Sequence, residues 1–259
     1  MITTWRKYTA TAGMSALEKI NSGLIWLIPD IFLKVCTLTA LLFMWRIVME
    51  SGAQTDMSVD QMLTYTYMSA LLSELLVVQT AATGWLSDGV ILKLYGRPLP
   101  VLAQLAAQTC GGWLPHLLFF SLPMAAVSPL FGISLAPRSA LFLPSLLLCI
   151  SLGFAIDAFF MCLSMKLRNM NWLVGRIRLA VVTLFSGTLI PVNLLPFGLA
   201  NVMRYLPFAS LGGAVLSLFT GTQNASETLA LQLFWNLTLW PAALCIFKKS
   251  QEGMMSYGG

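Results

Sequence analysis

Two carboxylates, Glu74 and Asp157, stand inside stretches that are otherwise apolar. An ionised carboxylate in hydrocarbon is expensive, so an acid in such a place faces a cavity, a cation or a partner. For Glu74 four readings stay open: a substrate contact, a proton relay, a pair across a subunit interface, or a structural pair. Gln79 stands beside it as a further candidate for the lining of a path. Asp157, the third candidate for the path, lies about two helical turns before Lys166, close enough to snorkel or to pair with a basic residue there, and reads as mostly structural. His116 is the only histidine and follows Pro115. One imidazole builds neither a histidine metal cluster nor a Ser-His-Asp triad within a chain, so it reads as a core histidine with its bonds satisfied. The five cysteines (Cys36, Cys110, Cys149, Cys162, Cys245) are scattered through apolar stretches and none forms a CxxC pair. They read as small core hydrophobes, with no disulfide or metal framework. No Gly-x-x-x-x-Gly-Lys-[Ser/Thr] phosphate loop occurs, nor any Gly-Lys pair, so neither an ATP site nor any other cofactor or metal site is expected in this chain.

The elements that hold these residues follow from composition. Of 259 residues, 58% are hydrophobic and 10% are charged, against about 25% charged in a soluble domain. Mean hydropathy is +0.79. That balance excludes a cytosolic enzyme, a secreted disulfide scaffold and a disordered chain. Lipid is the expected solvent, and at about 20 residues per helix the length suits about five to seven spans. The opening MITTWRKYTATAGMSALEKINS is too polar to be the apolar core of a cleavable signal peptide.

Charge-poor runs predict the spans: Ile31–Val48, Gln61–Thr83, Val101–Val127, Ala140–Met165, Leu179–Ile190 and Thr228–Phe247. Basic residues then sort by loop. Arg6, Lys7 and Lys19 precede span one. Lys93 and Arg97 follow span two. Lys166, Arg168, Arg176 and Arg178 follow span four, and Lys248 and Lys249 close span six. The alternate loops hold Arg138 and Arg204, and the loop Glu50–Asp60 has no Lys or Arg. Cytoplasmic loops collect positive charge, so the expectation is six spans with both termini in the cytoplasm. The net charge of +5 is read as topology, and nucleic acid is not an expected partner.

Two segments depart from a plain hairpin bundle. Residues 1–28 mix Trp5, Tyr8, Met14 and Leu17 with Arg6, Lys7 and Lys19, which predicts an interfacial amphipathic helix feeding span one at Pro29. Residues 189–218 are apolar but punctuated by Pro191, Pro196, Pro207 and Gly212–Gly213. Proline breaks a spanning helix, and non-helical backbone at membrane depth needs cover. The run is too short for two full spans. Two short helices that dip in from the outer side and return are predicted.

Two further runs stand out. One is Trp85–Gln104, WLSDGVILKLYGRPLPVLAQ, on the basic side after span two. The other is SGTLIPVNLLP, from Ser186 to Pro196, followed by Leu206-Pro207-Phe208. Both resemble the permeases of type-2 ATP-binding-cassette (ABC) exporters, the ABC-2-type family. Their order and the six-span pattern extend the resemblance over nearly the whole chain. The resemblance implies an all-α six-span subunit in a bacterial cytoplasmic (inner) membrane. It would pair with a second permease subunit, identical or homologous, and bind two ATPase subunits that carry ATP and Mg. It implies a coupling helix over 84–98, with Asp88, Gly89, Leu92, Lys93, Arg97 and Pro98 at the ATPase. It also implies a re-entrant outer segment containing Ser186, Gly187, Pro191, Pro196 and Pro207. Cargo would be an exported drug, peptide, lipid or polysaccharide. The residues themselves suit the first assignment: Gly89 and Gly96 bracket one to two turns carrying charge and Val90, Ile91, Leu92 and Leu94, the form of a docking element.

Three other functions compete. A proton-coupled secondary transporter would use Glu74 or Asp157, but that class often shows internal repeats, and Met1–Ala126 does not resemble Val127–Gly259. An intramembrane enzyme lacks a nucleophile or metal motif. A membrane scaffold leaves both motifs unexplained.

Overall fold

In hydrocarbon every backbone N–H and C=O has to find its partner within the protein, which favours helix. The computed structural model is 78% helix, with no strand among the described residues. These are 2–21, 24–52, 57–80, 92–167 and 170–256. The helices are α1 Ile2–Asn21, α2 Leu24–Glu50, α3 Val59–Leu71, α4 Ser73–Leu76, α5 Leu92–Tyr95 and α6 Val101–His116. A π-turn at Leu117–Ser121 carries α6 into α7 Leu122–Val127 and a 3-10 turn at Ser128–Phe131. Then come α8 Phe142–Lys166, α9 Asn171–Phe185, a 3-10 turn at Val192–Leu194, α10 Leu199–Met203, α11 Gly212–Thr220 and α12 Ala225–Ser256.

Among the described residues, four helical segments are long and apolar enough to cross a membrane: Leu27–Glu50, Val101–Phe131, Phe142–Lys166 and Ala225–Gln251. They fall on the stretches expected for spans one, three, four and six. Large apolar side chains such as Phe32, Phe43, Leu118, Leu147 and Leu237 are exposed on them, as lipid-facing surface requires.

The stretch expected as span two is not one helix. Ser58 and Gln61 form a reciprocal capping box that starts α3. The helix stops at Leu72, α4 adds one turn, and Val77–Thr80 run without helical structure. Neither Gly nor Pro causes the break. The Ser121 hydroxyl donates to the Leu71 carbonyl at 2.7 Å, and the segment after α4 takes its partners from α8 and α9. Span five also differs from the expected Leu179–Ile190. Helix α9 begins at Asn171 and ends at Phe185, because Gly187 takes φ +77° and turns the chain. Its 15 residues reach about 22 Å, short of the ~30 Å hydrocarbon core.

Residues 189–218 form a 3-10 turn and two short helices joined by turns, the prolines lying outside the helices. Helix α11 is buried along its whole length. It lies against α3 and α8, and the main core gathers there around Met62, Tyr65, Leu152, Val215, Leu216 and Phe219.

At the N-terminus, α1 packs along α6. A Cβ at Gly111 would overlap the Ala12 carbonyl, so glycine permits the close approach. Ser15 Oγ donates to the Gln108 carbonyl at 2.9 Å and Lys19 Nζ to the Gly112 carbonyl at 3.0 Å. Pro29 lies inside α2 and does not open it. A second small core of Leu94, Val101, Leu105, Met165 and Phe247 draws Arg97, Lys166, Lys248 and Lys249 to one end of the bundle. At the other end Gln61 Nε2 donates to the Thr220 carbonyl and the Arg138 amide to that of Phe219.

Candidate functional site

The break in α3–α4 lies between two charged clusters. The first is sealed. Arg178 Nε on α9 lies 2.7 Å from Asp157 Oδ1 on α8, and both side chains are 2% exposed. The N–H is not aligned on that oxygen, so the attraction is Coulombic more than a directed bond. Thr80 completes the site: its hydroxyl donates to Asp157 Oδ2 at 2.5 Å and its amide at 3.2 Å. The guanidinium also donates to the Val78 carbonyl. The pair thus fastens Val78–Thr80 to α8 and α9 and satisfies backbone that left the helix. Gly153 makes the room, since a Cβ there would sit 2.7 Å from Val78 Cγ2. Arg178, which its position suggests as a cytoplasmic loop charge, is therefore a buried residue of α9.

The second cluster is wetter. Lys34 Nζ on α2 lies 3.0 Å from Glu74 Oε1, 3.0 Å from Asp30 Oδ2 and 3.1 Å from His116 Nδ1. The other ring nitrogen of His116 faces Ser73 Oγ at 3.5 Å, and its ring stacks on Phe120 with centroids 5.0 Å apart. A nitrogen that takes a proton from an ammonium is an acceptor, so this geometry suits neutral imidazole. Glu74 keeps 31% of its side-chain surface. It lines a cavity of about 180 Å³ with Gln79, Ser15, Lys19 and Gln108. The three residues expected along a path therefore divide. Glu74 and Gln79 share this cavity. Asp157 lies on the wall of a different, apolar cavity of about 680 Å³ between α6, α8 and α12.

The Ser186-Gly187 motif forms a knot against α3. Tyr65 donates its hydroxyl to the Gly187 carbonyl and Ser69 to that of Thr188, each at 2.6 Å. The Gly213 amide donates to the Ser186 carbonyl at 2.5 Å. A Cβ on Gly187 would meet Gly213 Cα at 2.9 Å, so the two strands of chain touch backbone to backbone. Pro191 precedes the 3-10 turn and Pro196 opens the turn before α10. Pro207 sits in the turns between α10 and α11. Beyond Pro191, a cavity of about 240 Å³ is lined by Tyr65, Arg204, Asn224 and Glu227 among others.

Of the segment expected to couple to an ATPase, 84–91, with Asp88 and Gly89, lies outside the described residues, as do the side chains of Leu92 and Lys93. The chain from Leu94 onward is anchored. Leu94 is buried among the ends of α6, α8 and α12. Gln104, itself buried, donates to the Leu94 carbonyl at 2.9 Å and to the Leu99 carbonyl at 2.8 Å. Tyr95 accepts from Gln251 at 3.1 Å, and burial raises its phenol above the usual range, so it stays neutral. Arg97 and Pro98 are exposed.

Sequence reasoning missed Lys34, Arg178, Tyr65, Ser69 and Gln104. Asp30 and Lys34 at i,i+4, and Tyr65 and Ser69 at i,i+4, were the available signals, since each pair shares a helix face. No group of three or more His, Cys, Asp or Glu side chains suited to a metal occurs among the described residues. No known protein family matches the chain, and no curated protein matches it either.

Proposed function

We propose that this chain is the transmembrane subunit of an ABC exporter of the ABC-2 type. In this reading it spans a bacterial cytoplasmic membrane six times, with both termini at the basic end. The broken α3–α4 and the short α9 serve as spans two and five. The knot and the short helices α10 and α11 form a re-entrant outer segment. ATP and Mg are held by two partner ATPase subunits, and a second permease subunit, identical or homologous, completes the pathway. Cargo is hydrophobic or amphipathic.

The observation that carries the reading is the anchoring of the Leu94–Leu99 connector. Leu94 is buried among three helix ends and Gln104 bonds the Leu94 and Leu99 carbonyls, while Arg97 and Pro98 between them are exposed. A segment built so passes force from a cytoplasmic partner into α6, α8 and α12. The motif residues Trp85–Gln104 point to the same role. Glu74 and Gln79, in their shared cavity, are the groups for cargo to meet.

Purification from the native membrane in mild detergent tests this. A co-purifying ATPase with vanadate-sensitive hydrolysis is expected, and Arg97→Glu is expected to release it while leaving the permease folded. A chain that purifies without any ATPase overturns the reading. A second reading, proton-coupled transport without an ATPase, is favoured by the Lys34–Glu74–His116 contact, and Asp157 leaves it because Arg178 holds its charge. Proton flux that Glu74→Gln abolishes in the absence of any ATPase would establish it.

A further inference from the structure

The cavity between α6, α8 and α12 has no part in the exporter reading, and its chemistry is unlike that of the Glu74 cavity. At about 680 Å³ it is in the range of small-molecule sites, about 300–1,000 Å³. Its walls are apolar: Ala103 and Ala106 from α6, Phe154 and Ala158 from α8, Leu244 from α12. Helix α8 packs closely on α12 and much less on α6, so the gap runs along α6. On α8 the lining extends from Ser151 to Met161, and on α12 from Trp240 to Gln251, about 15 Å of helix in each case. The far end is closed by Trp240, whose ring N–H donates to Ser151 Oγ at 2.9 Å. The near end, where the basic residues of the bundle gather, carries Lys248 and Gln251. The carboxylate on the wall, Asp157, is bonded to Thr80 and paired with Arg178, so it offers the cavity no free charge.

We infer that this cavity holds one acyl chain of an anionic phospholipid from the leaflet at the basic end, with the phosphate at Lys248 and Gln251. Water gains little in an apolar cavity, and one beside four membrane-length helices has hydrocarbon as its neighbour. A chain entering along α6 replaces the missing contacts of Phe154 and Leu244. The lysine at the mouth selects the headgroup by charge, as basic residues at an anionic leaflet do. Trp240 sets the depth by closing the far end. Such a lipid needs a membrane-embedded chain and no ATPase partner, so its binding stands or falls separately from the exporter reading.

Native mass spectrometry of the detergent-purified full chain, titrated with phosphatidylglycerol or phosphatidylcholine of equal tails, is the test. One tightly held phosphatidylglycerol per chain is expected, with phosphatidylcholine held more weakly. Lys248→Gln is expected to weaken phosphatidylglycerol about fivefold and phosphatidylcholine by less, narrowing the gap between the two. Lys248 is on the surface, so this variant keeps its fold. Ala106→Phe, which fills the groove, is expected to abolish tight binding of both. Equal affinity for the two lipids in the parent protein, or unchanged phosphatidylglycerol binding in Lys248→Gln, overturns the inference.

Discussion

The two charged clusters beside the break in α3–α4 use the same materials in opposite ways. Asp157 and Arg178 are sealed, each 2% exposed; Asp157 Oδ2 accepts from Thr80 and one guanidinium nitrogen donates to the Val78 carbonyl. Glu74 and Lys34 keep 31% and 26% of their side-chain surface, and Glu74 opens on a polar cavity. A charge pair closed off from water is a lock, because neither partner can leave without stranding the other. A pair that water reaches is weakly held and free to exchange partners. The bundle is thus built to stay still at the first cluster and has room to respond at the second.

Asp157 is where this contrast is most exposed to a test. Asp157→Leu leaves Arg178 buried without a counter-charge, and a loss of about 3–5 kcal/mol in stability is expected from unfolding in detergent micelles. Adding Arg178→Met is expected to recover most of it. A loss as small as that of a surface pair would show that the site is wet after all. Next comes the knot held against α3 by Tyr65 and Ser69. Gly187→Ala puts a side chain at φ +77° and against Gly213 Cα, for an expected loss of about 1–3 kcal/mol by the same measurement. Tyr65→Phe removes a single hydrogen bond to Gly187, and about 1 kcal/mol is expected. Glu74→Gln probes the wetter cluster. Its stability effect is expected to stay within about 1 kcal/mol; if the chain is the proposed exporter subunit, export by the assembled transporter is expected to fall well below that of the parent.

Much of this architecture was readable in the residues. Charge-poor runs marked the four long helices, because a span has to keep charges off lipid. The prolines and the Gly212–Gly213 pair marked the interrupted stretch before α12, because their backbone limits act locally. The break at Leu72 carried no such mark. It is held by Ser121, Asp157 and Arg178 from distant segments, and sequence near the break does not contain them. Arg178 misled for a related reason. A basic residue a turn or two inside a helix looks like an end marker until its partner on another helix is known. Glu74 and Gln79 stood out by type and do share a cavity. Lys34, which sits at the centre of their cluster, stands inside the run expected as span one, where nothing local names its partners. The π-turn after His116 is flanked by Pro115 and Pro123, neither of which has an N–H to give the helix.

Gln104 has a mechanical consequence. Its one amide nitrogen holds both ends of the Leu94–Leu99 stretch to the first turn of α6, so that stretch is a stiff elbow. A load applied at Arg97 would not be absorbed by bending there. It would become a torque on α6, and through α6 on α1, which is packed along it.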